Sequence, residues 1–284
     1  MKISESQLRK IIQVQLKEFR LPEKDIDLSS KKLSPQDVAS ALDKAIGGTH
    51  ASGRKFNSVF TRSLNESKKE AIDMSSDEIF ERVLNLSTLS KNFLINPNAL
   101  TYDSGETLQS PDLEIVKSII VFTGGNVPTI RNPSLYDANK VKALKRTTYL
   151  PKKNDYEIAN VILSKLAVHK LKESELQPIF RGLRLNKDIA KSIVKGIEFN
   201  NWTISSWTSD IDVAHDFSIY APGGDDVIPV VLKILDTSHG CSIQDLSIYP
   251  TESEYLLGKK IKVDYVEDGI DRGLGLFVYC SIIG

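Results

Sequence analysis

Three short segments in the last third of the chain carry side chains able to work on a charged ligand: Phe180-Arg181-Gly182, Ser205-Ser206-Trp207-Thr208 and Glu252-Ser253-Glu254. A guanidinium offers a planar fork of donors that matches the oxygens of a phosphate or carboxylate. Two carboxylates that close repel each other unless both serve a cation or share hydrogen-bond donors. A serine hydroxyl can hold one carboxylate in a fixed orientation. Together these groups suit a multiply charged ligand that gives up a cationic leaving group.

The elements around them read as strands and short helices. In Ile179–Leu185, alternation sends Phe180, Gly182 and Arg184 to one side and Ile179, Arg181 and Leu183 to the other. Arg181 therefore shares an apolar face and needs an anion or a carboxylate partner. Gly182 beside it permits close backbone approach by a ligand. Trp202–Trp207 reads as a strand. Ser209 is an N-cap for a helix over Asp210–Phe217. The period-two geometry of a strand puts Glu252 and Glu254 on the same face. Each piece also has a plain structural reading: a salt bridge for Arg181, cap chemistry for the hydroxyls, surface charge for the glutamates. A second doublet, Glu173-Ser174-Glu175, reads as a solvated helix end.

The order and context resemble the arginine–serine–glutamate class of mono-ADP-ribosyltransferases. The match runs through aromatic-Arg-Gly at 180–182, then Ser206-Trp207-Thr208 followed by Val213-Ala214-His215-Asp216-Phe217, then Glu252-Ser253-Glu254 leading into an apolar strand. It covers roughly residues 150–284, and a tryptophan stands where the class more often has threonine. The resemblance implies an ADP-ribosyltransferase-like split β-sandwich with flanking helices, NAD as substrate and no metal. By the same resemblance Arg181 grips the pyrophosphate, Glu254 stabilises the oxocarbenium-like ribose, and Ser206 orients Glu254. Glu252 engages the acceptor, which for a glutamate at that place is a protein arginine. Gly182, Ser206, Trp207, Thr208 and Phe217 would complete the NAD site. Trp207 and Phe217 are open between packing on nicotinamide or adenine and serving the core, with core favoured for Phe217. Tyr249 is a candidate contact for the target protein.

The rest of the chain bounds this reading. Its 284 residues suffice for one large or two modest domains. No run of eighteen apolar residues marks a membrane span, and the N-terminus lacks the apolar core of a secretory signal. Two cysteines, Cys241 and Cys280, are too few for a disulfide framework or a zinc site. His50, His169, His215 and His239 show no metal spacing. Gly273-Leu274-Gly275 lacks the third glycine of a dinucleotide fingerprint, and there is no phosphate-loop motif. Net charge is zero, yet residues 1–200 carry 32 basic against 24 acidic side chains and residues 201–284 carry 5 against 13. An acidic C-terminal region disfavours nucleic acid there and suits a cationic substrate.

The expected organisation is α+β, with a mainly helical N-terminal region before an NAD-binding domain. Residues 1–20 read as an amphipathic helix with a Ser4/Gln7 capping box and 21–34 as a linker. Residues 35–150 are mainly helical and 151–284 hold the transferase domain. Ser34-Pro35 opens a helix through Ile46, and Ser75 with Glu78 caps another. Leu113–Phe122 is helix or strand. Tyr156–Leu171 and Lys187–Ile197 read as helices, and Val227–Leu235, Leu256–Val263 and Leu276–Ile283 as strands. A chain begun near residue 100 is expected to keep the NAD site.

Residues 1–12 look like the start of virion proteins of large tailed phages, and Leu16-Lys17-Glu18 like a prohead-protease cleavage site. That resemblance implies a packaged enzyme that contacts a capsid or scaffold through its N-terminal helix. It would then act in the bacterial host cytoplasm on host proteins with exposed arginines, RNA polymerase among them. Two other readings stand beside it: a non-enzymatic virion or interaction protein on a decayed transferase fold, and an NAD glycohydrolase.

Overall fold

The structure is a computed structural model that describes residues 33–47, 66–89, 107–124, 127–138, 151–200, 204–220, 226–269 and 275–283. The N-terminal helix reading, the linker up to residue 32, the cleavage site at Glu18, and Trp202, Thr203, Gly273 and Leu274 lie outside the described residues.

The fold is α+β. Helices α1 (Pro35–Gly47), α2 (Glu66–Asp73), α3 (Ser76–Leu89), α4 (Asp112–Thr123), α5 (Val127–Arg131) and α6 (Lys153–Ala167) precede the first strand. Their starts follow from local chemistry. Asp37 N–H donates to Ser34 Oγ while Ser34 N–H donates to the Asp37 carboxylate. Ser75 and Glu78 make the same reciprocal pair at α3. Leu113–Phe122 resolves as helix within α4, where all but one residue from Glu114 to Thr123 is buried. A helix this enclosed shows no one-sided periodicity, which is why its pattern was ambiguous.

Strands β1 (Ile179–Asn186), β2 (Glu198–Asn200), β3 (Ser205–Thr208), β4 (Val227–Ile234), β5 (Cys241–Ser242), β6 (Glu254–Leu257), β7 (Lys260–Gly269) and β8 (Gly275–Ile283) lie in the order β2-β7-β8-β4-β1-β3-β6-β5. Every neighbouring pair is antiparallel except β4 with β8. β1 and β4 pair along all eight residues of β1, whereas β1 and β3 meet at one pair, Phe180 with Thr208. The sheet is thus nearly split between β1 and β3.

Alternation along β1 serves both faces. Ile179, Leu183 and Leu185 join the main core, which also takes in Val38, Leu42 and Ile46 of α1, Ile79 and Val83 of α3, and Leu166 of α6. Phe180 faces a second, smaller cluster with Ala214, Val231 and Phe277. This second cluster lies under helix α8 (Ile211–Tyr220), which packs on β1.

Four expectations change. The helix α7 (Lys187–Lys191) stops well short of Ile197. Gly196 N–H instead donates to Val263 O and Val263 N–H to Ile197 O, so pairing to β7 overrides helical propensity. The run Leu256–Val263 is two strands, because Gly258 turns and donates its N–H to Ala167 O. The cap of α8 is Asp210, whose carboxylate accepts from Asp212 N–H at 2.8 Å, and not Ser209. Glu252 lies in a 3-10 turn over Pro250–Glu252, and the strand begins only at Glu254.

Candidate active site

β3 supplies the centre of the site. In a strand, the carbonyls of residues two apart point to the same edge. Ile204, Ser206 and Thr208 share the edge that faces β1, and only Thr208 is paired there. The other two carbonyls are held by arginines. Arg131 Nε and Nη2 donate to Ile204 O at 2.9 and 2.6 Å, and Arg181 Nη1 donates to Ser206 O. Both guanidiniums also reach the last turn of α1, where Ile46 O accepts from Arg181 Nη2 at 3.0 Å and Arg131 Nη2 at 3.4 Å. A helix C-terminus carries exposed carbonyls and partial negative charge, so it suits cations.

The charge balance at Arg181 favours an anion. Burial, and then the charge of Arg131, push its guanidinium down to about 9, while Glu254 acts in the opposite sense. Arg131 is pushed down to about 10 by burial. Arg181 Nε is buried and has no hydrogen-bond partner among the described residues. A phosphate group brought to this place would supply negative charge and an acceptor.

Glu254 opens β6 opposite Thr208 and is 6% exposed. Ser206 Oγ donates to its Oε1 at 2.7 Å and Ser247 Oγ lies 3.4 Å from its Oε2. Burial raises this carboxyl to about 7; the serine bonds and Arg181 oppose the rise, and the Glu252 charge adds to it. Glu254 therefore sits where a nearby cation would favour its ionised form.

Ser253 sets the relation of the two glutamates. It is the one non-glycine residue with positive φ among the described residues, at 48°. Such a conformation costs free energy and persists where surrounding contacts impose it. Here Ser253 O accepts from Ser209 N–H at 3.1 Å, which ties the turn between the glutamates to the end of β3. Glu252 and Glu254 approach one site through this turn and not through strand alternation.

A cleft of about 150 Å³ is lined by Phe180, Arg181, Gly182, Ser206, Trp207, Thr208, Ala214, Phe217 and Glu252. Pockets that enclose a drug-sized ligand run to roughly 300–1,000 Å³. At about 150 Å³ this one is well below that range. Seven residues singled out from sequence meet here: Arg181, Gly182, Ser206, Trp207, Thr208, Phe217 and Glu252. Glu254 stands one hydrogen bond behind them, through Ser206. Tyr249 lies outside the lining, 36% exposed, on the loop that leads to Glu252.

Phe217, favoured as core, is 49% exposed at the cleft; Trp207 is 2% exposed and donates Nε1–H to Ser205 Oγ. Gly182 does allow close approach, but by helix backbone: a Cβ there would fall 1.8 Å from Ala214 O. Sequence reasoning missed Arg131, Ile46 and Ser247. Arg131 closes a short apolar helix, and Ser247 stands between Leu246 and Ile248. A lone polar residue in such a setting is the available signal for both.

No protein-family model and no curated protein matches the chain. Solved structures are similar to it. The Vis toxin, an ADP-ribosyltransferase from Vibrio splendidus, aligns at 15% identity over 76% of this chain and 90% of that one, with a TM-score of 0.43. An ADP-ribosyltransferase toxin from Paenibacillus larvae aligns at 16% identity over 76% and 96%, with a TM-score of 0.39. An ADP-ribosyltransferase from Clostridium botulinum aligns at 14% identity over 74% and 94%, with a TM-score of 0.39.

Proposed function

We propose that this chain is a mono-ADP-ribosyltransferase that moves ADP-ribose from NAD to arginine side chains of proteins and releases nicotinamide. The observation that carries the reading is the Ser206–Glu254 hydrogen bond, set at a nearly split sheet beside Arg181 and Glu252.

Cleavage of the nicotinamide–ribose bond builds positive charge on the ribose, as in glycoside hydrolysis. Ionised Glu254, held by Ser206, stabilises that charge and accepts from a ribose hydroxyl. Arg181 offers its free Nε, and the second N–H of each terminal nitrogen beyond those given to Ile46 O and Ser206 O, to the pyrophosphate. Phe217 and Phe180 present ring surface to the nicotinamide end in the cleft. The electron pair of the broken bond leaves with nicotinamide. A guanidinium nitrogen of the acceptor then bonds to the ribose carbon and loses its proton to Glu252. Free arginine titrates above about 12, so Glu252 positions the acceptor first and takes the proton late. The phage-like N-terminus favours host proteins, RNA polymerase among them, as targets.

The test is incubation of the full chain with labelled NAD and a bacterial lysate, followed by mass spectrometry of modified side chains. The expected result is ADP-ribose on arginines. Glu252→Ala should lose that transfer and keep NAD hydrolysis, because only acceptor positioning is removed. Equal loss of both activities would count against an acceptor role for Glu252. NAD hydrolysis without transfer, in the parent chain, would favour the glycohydrolase reading.

A further inference from the structure

We propose that Ser247 is a second positioning residue for Glu254, clamping the carboxylate oxygen that Ser206 leaves free. The proposal rests on the functional reading above, and concerns a residue outside the three sequence segments.

A carboxylate turns about its last side-chain bond over a broad, roughly two-fold range. One hydrogen bond fixes one oxygen and leaves the plane of the group adjustable. In this site the two oxygens meet hydroxyls from two separate elements. Ser206 of β3 takes Oε1 at 2.7 Å, and Ser247 takes Oε2 at 3.4 Å from the turn after the short helix Gln244–Leu246.

The hydroxyl of Ser247 is itself oriented. A serine hydroxyl has one proton to give and two lone pairs to accept with. Tyr249 N–H donates to Ser247 Oγ at 3.0 Å, which occupies a lone pair and leaves the proton for Glu254. Ser247 is 1% exposed, so bulk solvent does not compete for its hydroxyl. Its backbone is fixed on both sides: Ser247 N–H donates to Gln244 O, and Ile248 N–H donates to Thr123 Oγ1 at 3.3 Å. Thr123 in turn donates to Ile119 O within α4, so the clamp is tied to a buried helix. The 3.4 Å contact is long for O–H···O, and such bonds often tighten only when substrate binds. The same turn continues into Tyr249 and Glu252, whose N–H donates to Tyr249 O at 3.0 Å. Ser247 thereby links the buried glutamate to the loop that carries the acceptor side.

The experiment compares the full chain with its Ser247→Ala and Ser247→Cys variants. One arm measures steady-state NAD hydrolysis. Ser247→Ala should lower kcat about tenfold with KM for NAD changed less than about twofold, the mark of an interaction that matters in the transition state. Ser247→Cys keeps the shape with a weak donor and should recover part of the loss. The second arm needs no activity: a carbon-NMR titration of the Glu254 carboxyl, identified by its absence in Glu254→Gln. The charged and titratable groups that face Glu254 are Glu252, which raises it, and Arg181, which lowers it. Both are unchanged in the Ser247 variants, so loss of the hydroxyl should move the midpoint upward by about half a unit or more. An unmoved midpoint overturns the proposal, whether or not the chain acts on NAD. A fall in melting temperature with a raised KM and an unmoved midpoint would also overturn it, as a purely structural role. A parent chain inert towards NAD, with a midpoint that moves in Ser247→Ala, would sink the functional reading while leaving the clamp.

Discussion

Arg131 and Arg181 both donate to Ile46 O, and each also holds one carbonyl on the unpaired edge of β3, Ile204 and Ser206 respectively. An open strand edge inside a protein leaves carbonyls that must find donors. Here guanidiniums take the place of a neighbouring strand. The arrangement keeps the sheet parted beside Glu254 and concentrates positive charge there. The split and the cleft share a residue: Arg181, one of the two arginines that hold β3 away from β1, also lines the cleft, while Arg131 stays buried behind it.

Replacing Glu254 by Gln should abolish NAD hydrolysis and transfer, because it removes the charge that faces the developing oxocarbenium ion. It should also change stability in a pH-dependent way. Burial raises the Glu254 carboxyl from 4.5 to about 7. Between those values the folded protein keeps a proton that the unfolded chain releases. The glutamate therefore costs the fold progressively more as pH rises through that window. A glutamine does not titrate. The stability gained by Glu254→Gln should grow by on the order of 3 kcal/mol from below pH 4.5 to above pH 7. Chemical unfolding of both proteins at about pH 4, 5.5 and 8 measures it, and parallel pH curves would contradict a Glu254 carboxyl raised by burial.

The acid limb of kcat/KM for NAD should lie near pH 7, since the ionised carboxylate does the work. Two substitutions should move it in opposite directions. Ser206→Ala removes a bond that favours ionisation, so the limb moves up. Glu252→Gln removes a charge that opposes ionisation, so the limb moves down. Steady-state hydrolysis between about pH 5 and 9 decides. Shifts of the same sign in both variants would show that the limb belongs to another group.

Arg181→Lys should weaken NAD binding about tenfold or more and lower stability at the same time. A lysine is a point charge that cannot bridge Ile46 O and Ser206 O and still present a fork. The carbonyl left without a donor costs roughly 1–3 kcal/mol. Calorimetric NAD titration and thermal unfolding separate the two effects. A variant with full stability and lost binding would mean that the contacts to β3 and α1 are incidental to the fold.

The strands that carry chemistry were legible because their signals are local. Alternation in Ile179–Leu185 places Phe180 and Leu183 on opposite faces, and the structure does the same. Capping boxes at Ser34 and Ser75 depend on residues three apart and were equally readable. What escaped depends on partners far along the chain. Arg131 meets Ile204 across 73 residues and Arg181 meets Ile46 across 135. The turn at Ser253 is imposed by its bond to Ser209, so no reading of Glu252-Ser253-Glu254 alone could distinguish it from a strand. Phe217 carries a helical apolar pattern, yet its helix lies on the sheet through Ala214 against Gly182, which leaves Phe217 at the cleft.

A chain begun near residue 100 should fail to fold, against the expectation drawn from the position of the motifs. That cut removes α1, α2 and α3. Val38, Leu42, Ile79 and Val83 are fully buried in the core they share with the sheet, and Ile46 is 2% exposed. Each such side chain contributes roughly 1.5–3 kcal/mol on burial, and a domain's whole margin is about 5–15 kcal/mol. The cut also removes Ile46 O from both arginines and Asp43, whose carboxylate accepts from Asn200 N–H at 2.5 Å at the start of the sheet. It leaves Lys165 without the carbonyls of Ile72 and Met74. A chain begun at residue 33 keeps all of these and should fold and bind NAD with the parent affinity. Expression of both, with light scattering and NAD titration, gives the comparison. Monomeric, NAD-binding protein from residues 100–284 would show that the three helices are an appendage, and that the arginine pair needs no support from α1.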